Sequence, residues 1–346
     1  MKTYTFQNQY LKKKFPLRIS RGLIEGSTNL FVSIEEDGVT GWGEMSPGST
    51  EGAGTIDEAQ ASLQSLIDTG LDDLSIYEIY QRASDIKTPL CALAALDMAL
   101  WDLKAKKANL PLYRLLSLPL PKIPTSVTLG ILPADEVEAR IHALLANRPI
   151  KALKVKLGST EGIEADKSMF AKVADYAKPY DVALRVDANG GWTVDEAIEM
   201  MKWLSAKGVE YVEQPLVEGQ EYDLKHIFPN RTLPIFVDES CRLSTDIPKW
   251  AAYVDGVNLK LMKCGGITEA LRILATAKAF KLKTMIGCMG ESSMSISAGA
   301  AISGIIDYID LDSHLNLDPD PCTGAEFING IIMPTNAPGH GATFKK

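Results

Sequence analysis

The sequence predicts an α/β fold, a modified (β/α)7β TIM barrel with an N-terminal α+β domain that the C-terminal tail completes. Three observations predict it. Eight apolar runs alternate with helical segments from residue 125 onward, and eight is the strand count of such a barrel. Residues 1–117 lack this alternation. Three acidic residues recur at intervals of 26 and 25 residues, about the length of one strand and one crossover helix.

The first domain is predicted over residues 1–118. The segment TNLFVSIEEDGVTGWGE alternates apolar and polar residues around Asp37-Gly38, which is typical of a β-hairpin. Residues 57–117 read as helices, because PLCALAALDMALWDLKAKKANLPLYRLL has apolar residues at helical spacing. The Pro-rich stretch at 116–124 marks the boundary.

The barrel is predicted over residues 119–312. Its apolar runs lie at 125–131, 152–157, 182–187, 210–213, 234–238, 256–261, 282–288 and 306–311. Among the helical segments between them, the one after Thr193 carries Glu196 three residues on, which is a capping box. After Asp312 the chain is rich in Pro and Gly, so we expect the eighth helix to be missing and the tail, 313–346, to return to the first domain.

Composition narrows the classes of function. The 346 residues carry a net charge of −8 without a basic stripe, so we expect no nucleic-acid partner. No apolar run is long enough to cross a bilayer, and the N-terminus lacks the apolar segment of a secretory signal. The cysteines form no CxxC pair, which favours reduced thiols and a cytoplasmic location; they are Cys91, Cys241, Cys264, Cys288 and Cys322.

Three acidic residues end successive strands of the predicted barrel. Asp187 lies in LRVDANGGW, Glu213 in VEYVEQP and Asp238 in PIFVDES. The carboxyl ends of barrel strands form the face where active sites are built. Three carboxylates there suit one Mg²⁺ per subunit, which takes oxygen ligands. No His or Cys lies at these strand ends, which argues against zinc. Each acid alone could instead be a solvated carboxylate or a helix cap.

Two lysine pairs flank the acids. Lys154 and Lys156 alternate in ALKVKLG and therefore share a face of their strand. In NLKLMKCGG, Lys260 lies deeper in the apolar run, whereas Lys263 precedes two glycines and is expected in a loop. A neighbouring charge or metal can lower the pKa of a lysine until it serves as a base. A cation between two lysines suits proton abstraction next to a carboxylate; alternatively the lysines extend to solvent.

The order KVK, DANGGW, VEQP, VDES, NLKLMKCGG resembles the muconate-lactonizing subgroup of the enolase superfamily over nearly the whole chain. The segments GWGE and ALDMALWDLKAKKANLPLYRLL resemble its capping domain. The resemblance implies one Mg²⁺ on Asp187, Glu213 and Asp238. It implies acid/base roles for Lys156 and Lys260, with Lys154 beside the substrate. It also places supporting residues around the metal, namely Asn189, Glu239 and Lys263.

The seventh and eighth strands separate activities within the superfamily. KTMIGCMGESS lacks the histidine that the mandelate racemase subgroup carries there, and we expect His142, His226, His314 and His340 on surfaces and loops. IDLDSH contains Asp310 and Asp312 in a DxD pattern that resembles the dipeptide epimerases, where it holds a substrate ammonium. Without that resemblance, the two acids could be a strand end and a cap. The same resemblance assigns three more residues to substrate binding, Met289, Glu291 and Ser126.

An arginine near the first strand bears on substrate choice. FPLRISRGL contains Arg18 and Arg21. In the Ala-Glu epimerases an arginine from this loop meets the glutamate side chain, and Arg21 is the preferred match. It could equally be a surface arginine.

The resemblance therefore implies a cytoplasmic Mg²⁺-dependent dipeptide epimerase for L-Ala-D/L-Glu or a related dipeptide. Two lysines would carry out a 1,1-proton transfer through a metal-stabilised enediolate. Cell wall peptide recycling and a homo-oligomer are further expectations. The alternatives are o-succinylbenzoate synthase, a muconate-type cycloisomerase, a Schiff-base aldolase or a non-catalytic ligand-binding homologue.

Overall fold

The computed structural model describes residues 1–146 and 148–345, except for the side chain of Ser49. The chain begins with a three-stranded antiparallel sheet of β1 (Thr3–Ile19), β2 (Gly22–Glu36) and β3 (Val39–Met45). Asp37 and Gly38, between β2 and β3, have φ angles of 54° and 75°. Positive φ at both positions is what a tight hairpin turn requires. The predicted hairpin is therefore confirmed.

Four helices follow the sheet, α1 (Ile56–Ile67), α2 (Ile76–Asp85), α3 (Leu90–Lys107) and α4 (Leu112–Leu115). α3 packs on β2 and β3, α1 packs on β2, and α2 and α4 pack against α3. The Ala-rich α3 is buried on nearly every side because it lies between the sheet and the barrel. Gly43 in β3 permits the close approach, since a Cβ there would come within 2.0 Å of the Ala95 carbonyl oxygen. Sheet and helix can therefore meet only at a residue without a side chain.

The barrel consists of eight parallel strands in sequential order. They are β4 (Ser126–Leu129), β5 (Ala152–Lys156), β6 (Ala183–Asp187), β7 (Val209–Glu213), β8 (Ile235–Val237), β9 (Gly256–Leu259), β10 (Lys283–Ile286) and β11 (Tyr308–Ile309). A bridge between Thr125 and Ile309 closes the ring. Each predicted apolar run contains one strand, which confirms the predicted barrel. Because β5 and β9 are four places apart in an eight-stranded ring, they face each other across it.

Helices connect the strands, namely α5 (Val137–Leu145), α6 (Ile163–Ala177), α7 (Val194–Ser205), α8 (Leu224–Ile227), α9 (Ile247–Trp250), α10 (Leu261–Cys264), α11 (Ile267–Ala279) and α12 (Ser293–Ile302). Single 3₁₀ turns lie at Ser49–Glu51, Lys178–Tyr180, Glu221–Asp223, Phe228–Asn230, Ser244–Asp246, Ser303–Ile305 and Ser313–Asn316. The capping box predicted for Thr193 and Glu196 is present at the start of α7. None of the helices among residues 1–146 and 148–345 is long and apolar enough to cross a membrane.

The tail, 313–345 of the described residues, contains no α-helix, as predicted. It forms two small antiparallel pairs, β12 (Cys322–Thr323) with β15 (Thr343–Phe344), and β13 (Glu326–Ile328) with β14 (Ile331–Met333). The Phe344 ring lies edge-on to Phe31 and Trp42 of the first domain, with centroids 5.0 Å away in both cases. The tail thus contacts the first domain, while the exact boundaries at 118 and 312 stay predictions.

One histidine lies in a loop, as expected, but is not at the surface. His340 is buried, and its Nε2 lies 2.9 Å from the Trp42 carbonyl oxygen. The ring is buried because the tail crosses α3, where Asp102 accepts a hydrogen bond from the His340 backbone at 2.9 Å.

Candidate active site

Three carboxylates meet at the carboxyl ends of neighbouring strands. Asp187 and Glu213 end β6 and β7, and Asp238 directly follows β8. All three are fully buried, and their ligand oxygens lie within 4.8 Å of one another. An all-oxygen donor set of this kind fits a hard cation such as Mg²⁺ better than a transition metal. The structure therefore positions these acids for a metal.

Two lysines approach the carboxylates from opposite walls of the barrel. Lys156 ends β5 and donates a hydrogen bond to Asp187 Oδ2 at 2.5 Å. Lys260 follows β9 and donates to Asp238 Oδ2 at 2.6 Å. Because β5 and β9 are opposite strands of the ring, the two ammonium groups flank the same space. Both side chains are buried apart from the face that lines the cavity.

In the carboxylate cluster, burial and neighbouring charges shift the pKa values of the acids and lysines in opposite directions. Burial raises the pKa of a carboxyl, but nearby lysines outweigh it and hold the pKa of Asp187 and of Asp238 below the usual range. Glu213 has a pKa raised to about 8 by burial and by the Asp187 charge. Burial also disfavours the Lys260 ammonium, yet the Asp238 carboxylate outweighs it and raises the pKa of Lys260.

Lys154 connects the carboxylates to the far side of the barrel. Its Nζ lies 2.7 Å from Glu213, 2.8 Å from Asp310 and 3.2 Å from Asp187, and its side chain is 1% exposed. Burial lowers the pKa of this lysine, but Asp310 and Glu213 outweigh burial and raise it well above the usual value. Lys154 is thus a fixed positive charge between two groups of acids.

Lys263 has a different position from the one expected. It was predicted in a loop but lies in the single-turn helix α10, where its side chain is buried. Its Nζ is 2.6 Å from Asp238 Oδ1 and also donates to the carbonyls of Asn258 and Cys241 at 2.8 and 3.1 Å. These contacts fix the strand ends that carry Asp238 and Lys260.

Asp310 and Asp312 follow β11 and line the same cavity as Lys156 and Lys260. Asp312 accepts a hydrogen bond from the Thr128 backbone at 2.6 Å. Burial, together with the Asp310 charge, raises the pKa of Asp312 to about 6. The DxD pair therefore faces the two lysines.

Of the other predicted substrate-binding residues, one lines the cavity and two do not. Met289 lines the cavity. Glu291 is buried beneath it and accepts hydrogen bonds from the Met289 backbone at 2.7 Å and from Ser295 Oγ. Ser126 lies at the amino end of β4, fully buried, and accepts a hydrogen bond from Arg185 at 2.8 Å. It is not brought to the cavity, because successive residues of a strand advance by about 3.3 Å and Thr128 occupies the cavity end.

Arg21 is engaged with the protein. Its guanidinium lies 2.7 Å from Glu239 and donates to the Asn189 carbonyl at 3.1 Å, although the side chain is 54% exposed. Asn189 in turn donates from its backbone to Asp187 Oδ1 at 2.8 Å. Arg18 and Arg21 both line a cleft that also includes Ile131. Arg21, Glu239 and Asn189 therefore form the outer edge of the carboxylate cluster.

Sequence reasoning missed three residues of the site. Asn258 donates to Glu213 Oε1 at 2.9 Å, and its alternation with Lys260 on the same strand could have indicated this. Thr128 lines the cavity in the same way as Met289. Lys13, in the polar run LKKKF of β1, is 6% exposed and also lines the cavity. Its sequence neighbours are exposed lysines, and only its alternation with Leu11 and Phe15 on one face of β1 could have indicated burial.

Comparison with known proteins identifies the family. The model for the mandelate racemase / muconate lactonizing enzyme N-terminal domain matches residues 1–117, and the model described as enolase C-terminal domain-like matches residues 136–346. The chain belongs to the enolase superfamily. The resemblance stated from the motifs is confirmed.

Individual relatives of this superfamily member cover nearly the whole chain. A hydrophobic dipeptide epimerase of Roseobacter litoralis is 61% identical over 97% of both chains. Another from a Flavobacteria bacterium is 57% identical over 99% of this chain and 98% of its own. The solved dipeptide epimerase of Cytophaga hutchinsonii, complexed with Mg and D-Ala-L-Val, is 30% identical with a TM-score of 0.92, covering 100% of this chain and 96% of its own.

Proposed function

We propose that this chain is a Mg²⁺-dependent dipeptide epimerase. The observation that carries the proposal is the arrangement of Lys156 and Lys260 on opposite strands, with the carboxylate cluster and the DxD pair between them. Relatives at 57 and 61% identity are hydrophobic dipeptide epimerases, and the relative from Cytophaga hutchinsonii is complexed with Mg and a dipeptide.

Asp187, Glu213 and Asp238 would hold one Mg²⁺ per subunit. When bound, the ion supplies stabilisation for negative charge that develops on the substrate carboxylate as the α-proton leaves. Asn189 and Asn258 hold two of the carboxylates through hydrogen bonds, and Lys263 holds Asp238 through an ion pair. Such supporting contacts tune a metal site.

Lys156 and Lys260 act on the α-carbon from opposite faces. One lysine removes the α-proton of the C-terminal residue, and the other delivers a proton to the opposite face, which inverts the configuration. Compensation of the Asp238 charge by a bound cation would remove the interaction that raises the pKa of Lys260. The same lysine then moves toward the range in which a base works near neutral pH.

Asp310 and Asp312 bind the α-ammonium of the dipeptide. Lys154 holds Asp310 in position and sets the distance between the ammonium site and the carboxylate cluster. The alternative reactions on this scaffold, o-succinylbenzoate synthesis and muconate cycloisomerisation, use substrates without an ammonium. The acid pair in the cavity therefore favours a dipeptide.

Apolar dipeptides fit this cavity better than L-Ala-D/L-Glu. Its wall beyond the lysines includes apolar side chains from four parts of the chain, namely Phe15, Leu17, Val127, Leu144 and Leu315. Burial of an apolar side chain against them is favourable by roughly 25 cal/mol per Å². Arg21, which was assigned to a glutamate side chain, is instead paired with Glu239.

The cellular setting is part of the proposal. All five cysteines are free, three of them without exposure to the cavity or solvent, and free thiols suit the cytoplasm. Turnover of peptides released from the cell wall is one process that supplies dipeptides. A homo-oligomer remains a prediction, and the net charge of −8 disfavours a nucleic-acid partner.

Exchange of the α-proton in D₂O, followed by NMR over a dipeptide library, tests the function. We expect Mg²⁺-dependent deuterium incorporation at the C-terminal residue, and fastest exchange in dipeptides whose C-terminal residue is apolar. The double variant Asp310→Asn/Asp312→Asn should lose this exchange. Exchange in no dipeptide would contradict the proposal and favour a cycloisomerase or a ligand-binding protein.

A further inference from the structure

Lys13 reaches the cavity from the first domain. Pairing between β1 and β2 stops at Lys12 and resumes at Leu17. In this gap Lys13 forms a bridge with Leu317 of the tail. The side chain of Asn316 then binds both backbone groups of Phe15, accepting at 2.9 Å and donating at 2.8 Å. The segment that carries Lys13 is thus fastened to the loop after β11.

The Lys13 side chain is largely buried, and its ammonium opens onto the cavity without a close protein partner. The residue is 6% exposed, and among the described residues its Nζ forms neither a hydrogen bond nor an ion pair. Burial lowers its pKa, while the charges of Asp312 and Glu291 favour its protonated form. A buried charge without a close partner is costly. A cavity-facing ammonium of this kind is therefore suited to bind a group supplied by a ligand.

The basic character of this end of the cavity extends beyond one residue. Arg140 and Arg148 line the same end as Lys13. The Arg140 guanidinium lies 4.3 Å from the Phe15 ring centroid, and among the described residues neither arginine forms an ion pair with a carboxylate. Asp310 and Asp312 stand on the neighbouring wall. The cavity thus has an acidic site next to a basic one.

A dipeptide bound as proposed would bring both sites into use. Its α-ammonium would lie at Asp310 and Asp312, so the side chain of its first residue starts one bond away from that ammonium. An aspartate or glutamate side chain there would enter the same cavity that Lys13 lines together with the acid pair. A lysine or arginine side chain in the same position would meet a like charge.

We propose that Lys13 determines which first residue the dipeptide carries: it favours an acidic side chain over its neutral isostere and disfavours a cationic one. This inference rests on the proposed function of the site. One charge-assisted hydrogen bond contributes about 1.5–3 kcal/mol, which corresponds to roughly tenfold or more in specificity.

The test compares kcat/KM for L-Glu-L-Leu, L-Gln-L-Leu and L-Lys-L-Leu by α-proton exchange. Wild-type enzyme should use the Glu dipeptide at least about tenfold better than the Gln dipeptide, and the Lys dipeptide worst. Lys13→Gln should reduce the Glu-to-Gln ratio about tenfold and improve the relative use of L-Lys-L-Leu. Lys13→Arg should keep the wild-type order.

Lys12→Gln is the matched control, because Lys12 carries the same charge on the same strand but is exposed and outside the cavity; it should leave all three ratios unchanged. Equal use of the Glu and Gln dipeptides by wild-type enzyme overturns the inference even if Lys13→Gln does not fold. An unchanged ratio in Lys13→Gln also overturns it and leaves the epimerase function standing. Absence of exchange with all three dipeptides contradicts the proposed function, and the inference with it.

Discussion

Buried carboxylates lie in two regions of the molecule, and their partners and pKa shifts differ between the two. In the barrel centre, Asp187 and Asp238 lie against lysine ammonium groups, which hold the pKa of each acid below its usual range despite burial. Between the first domain and the barrel, Glu44 and Asp97 are equally buried, but among the described residues neither forms an ion pair. Burial raises the pKa of both to about 7.

The interface acids depend on neutral donors. Glu44 accepts hydrogen bonds from Asn29 at 2.7 Å, from the Ser292 backbone at 2.9 Å and from the Ser295 backbone at 3.1 Å. Such donors hold a carboxyl in place but compensate a negative charge less than an ammonium does. The centre therefore keeps charges ready for a cation, whereas the interface joins two domains through groups that titrate near neutral pH.

Removal of either central lysine should have the largest effect. Lys156→Ala and Lys260→Ala should each lower the rate of epimerisation about 10³-fold, because positioned acid–base groups contribute 10²–10⁴-fold. Each variant should still exchange the α-proton of the one stereoisomer that its remaining lysine can reach. NMR in D₂O with both stereoisomers measures this. Loss of exchange for the same isomer in both variants would contradict the two-face arrangement.

Lys263→Met should lower the free energy of unfolding by about 3 kcal/mol, since it leaves Asp238 with one fewer buried partner. Urea unfolding in the presence of a chelator measures this. Lys249→Met is the control, because that lysine pairs with Asp246 at the surface and is 53% exposed; its loss should cost less than about 1 kcal/mol. Equal losses would show that burial does not distinguish the two pairs.

Glu213→Gln should weaken Mg²⁺ binding by at least about 100-fold, because it removes a ligand charge where even supporting contacts matter 10–100-fold. Calorimetric titration of the metal-free protein is the measurement. Glu210→Gln on the same strand serves as control, since Glu210 faces outward and pairs with Arg185. Unchanged Mg²⁺ affinity in Glu213→Gln would show that the metal does not bind at this cluster.

Glu44→Gln should remove part of the pH dependence of stability. A carboxyl whose pKa is raised from 4.5 to about 7 on folding stabilises the fold fully below pH 4.5 and loses that contribution as pH rises through 7. Between pH 5 and 8 the free energy of unfolding of the wild type should fall by about 2 kcal/mol relative to that of the variant. Denaturant unfolding of both proteins with a chelator at pH 5 and at pH 8 measures this difference. A difference independent of pH would mean that Glu44 titrates normally.

The sequence predicted the barrel well because its signals are local. Each strand is an apolar run that ends in a turn residue, and the positions of Asp187, Glu213 and Asp238 at such ends place them on one face. The alternation of Lys154 and Lys156 likewise indicated a shared direction. These predictions require only strand periodicity and sequential strand order.

The features that the sequence did not predict depend on contacts between residues that are far apart in the chain. Lys13 resembles its exposed neighbours Lys12 and Lys14 until β11 and the tail cover it. Arg21 could be matched to a substrate carboxylate or to Glu239, and only the folded loop shows Glu239 beside it. Ser126 was two residues too early on its strand to reach the cavity.

The tail couples the thermal unfolding of the two domains. Phe344 inserts between Phe31 and Trp42, and the Gly339 carbonyl accepts a hydrogen bond from Leu112 at 2.7 Å. The barrel cannot lose its last strand without pulling these contacts away from the first domain. A calorimetric scan should therefore show a single endotherm, in which neither domain melts ahead of the other.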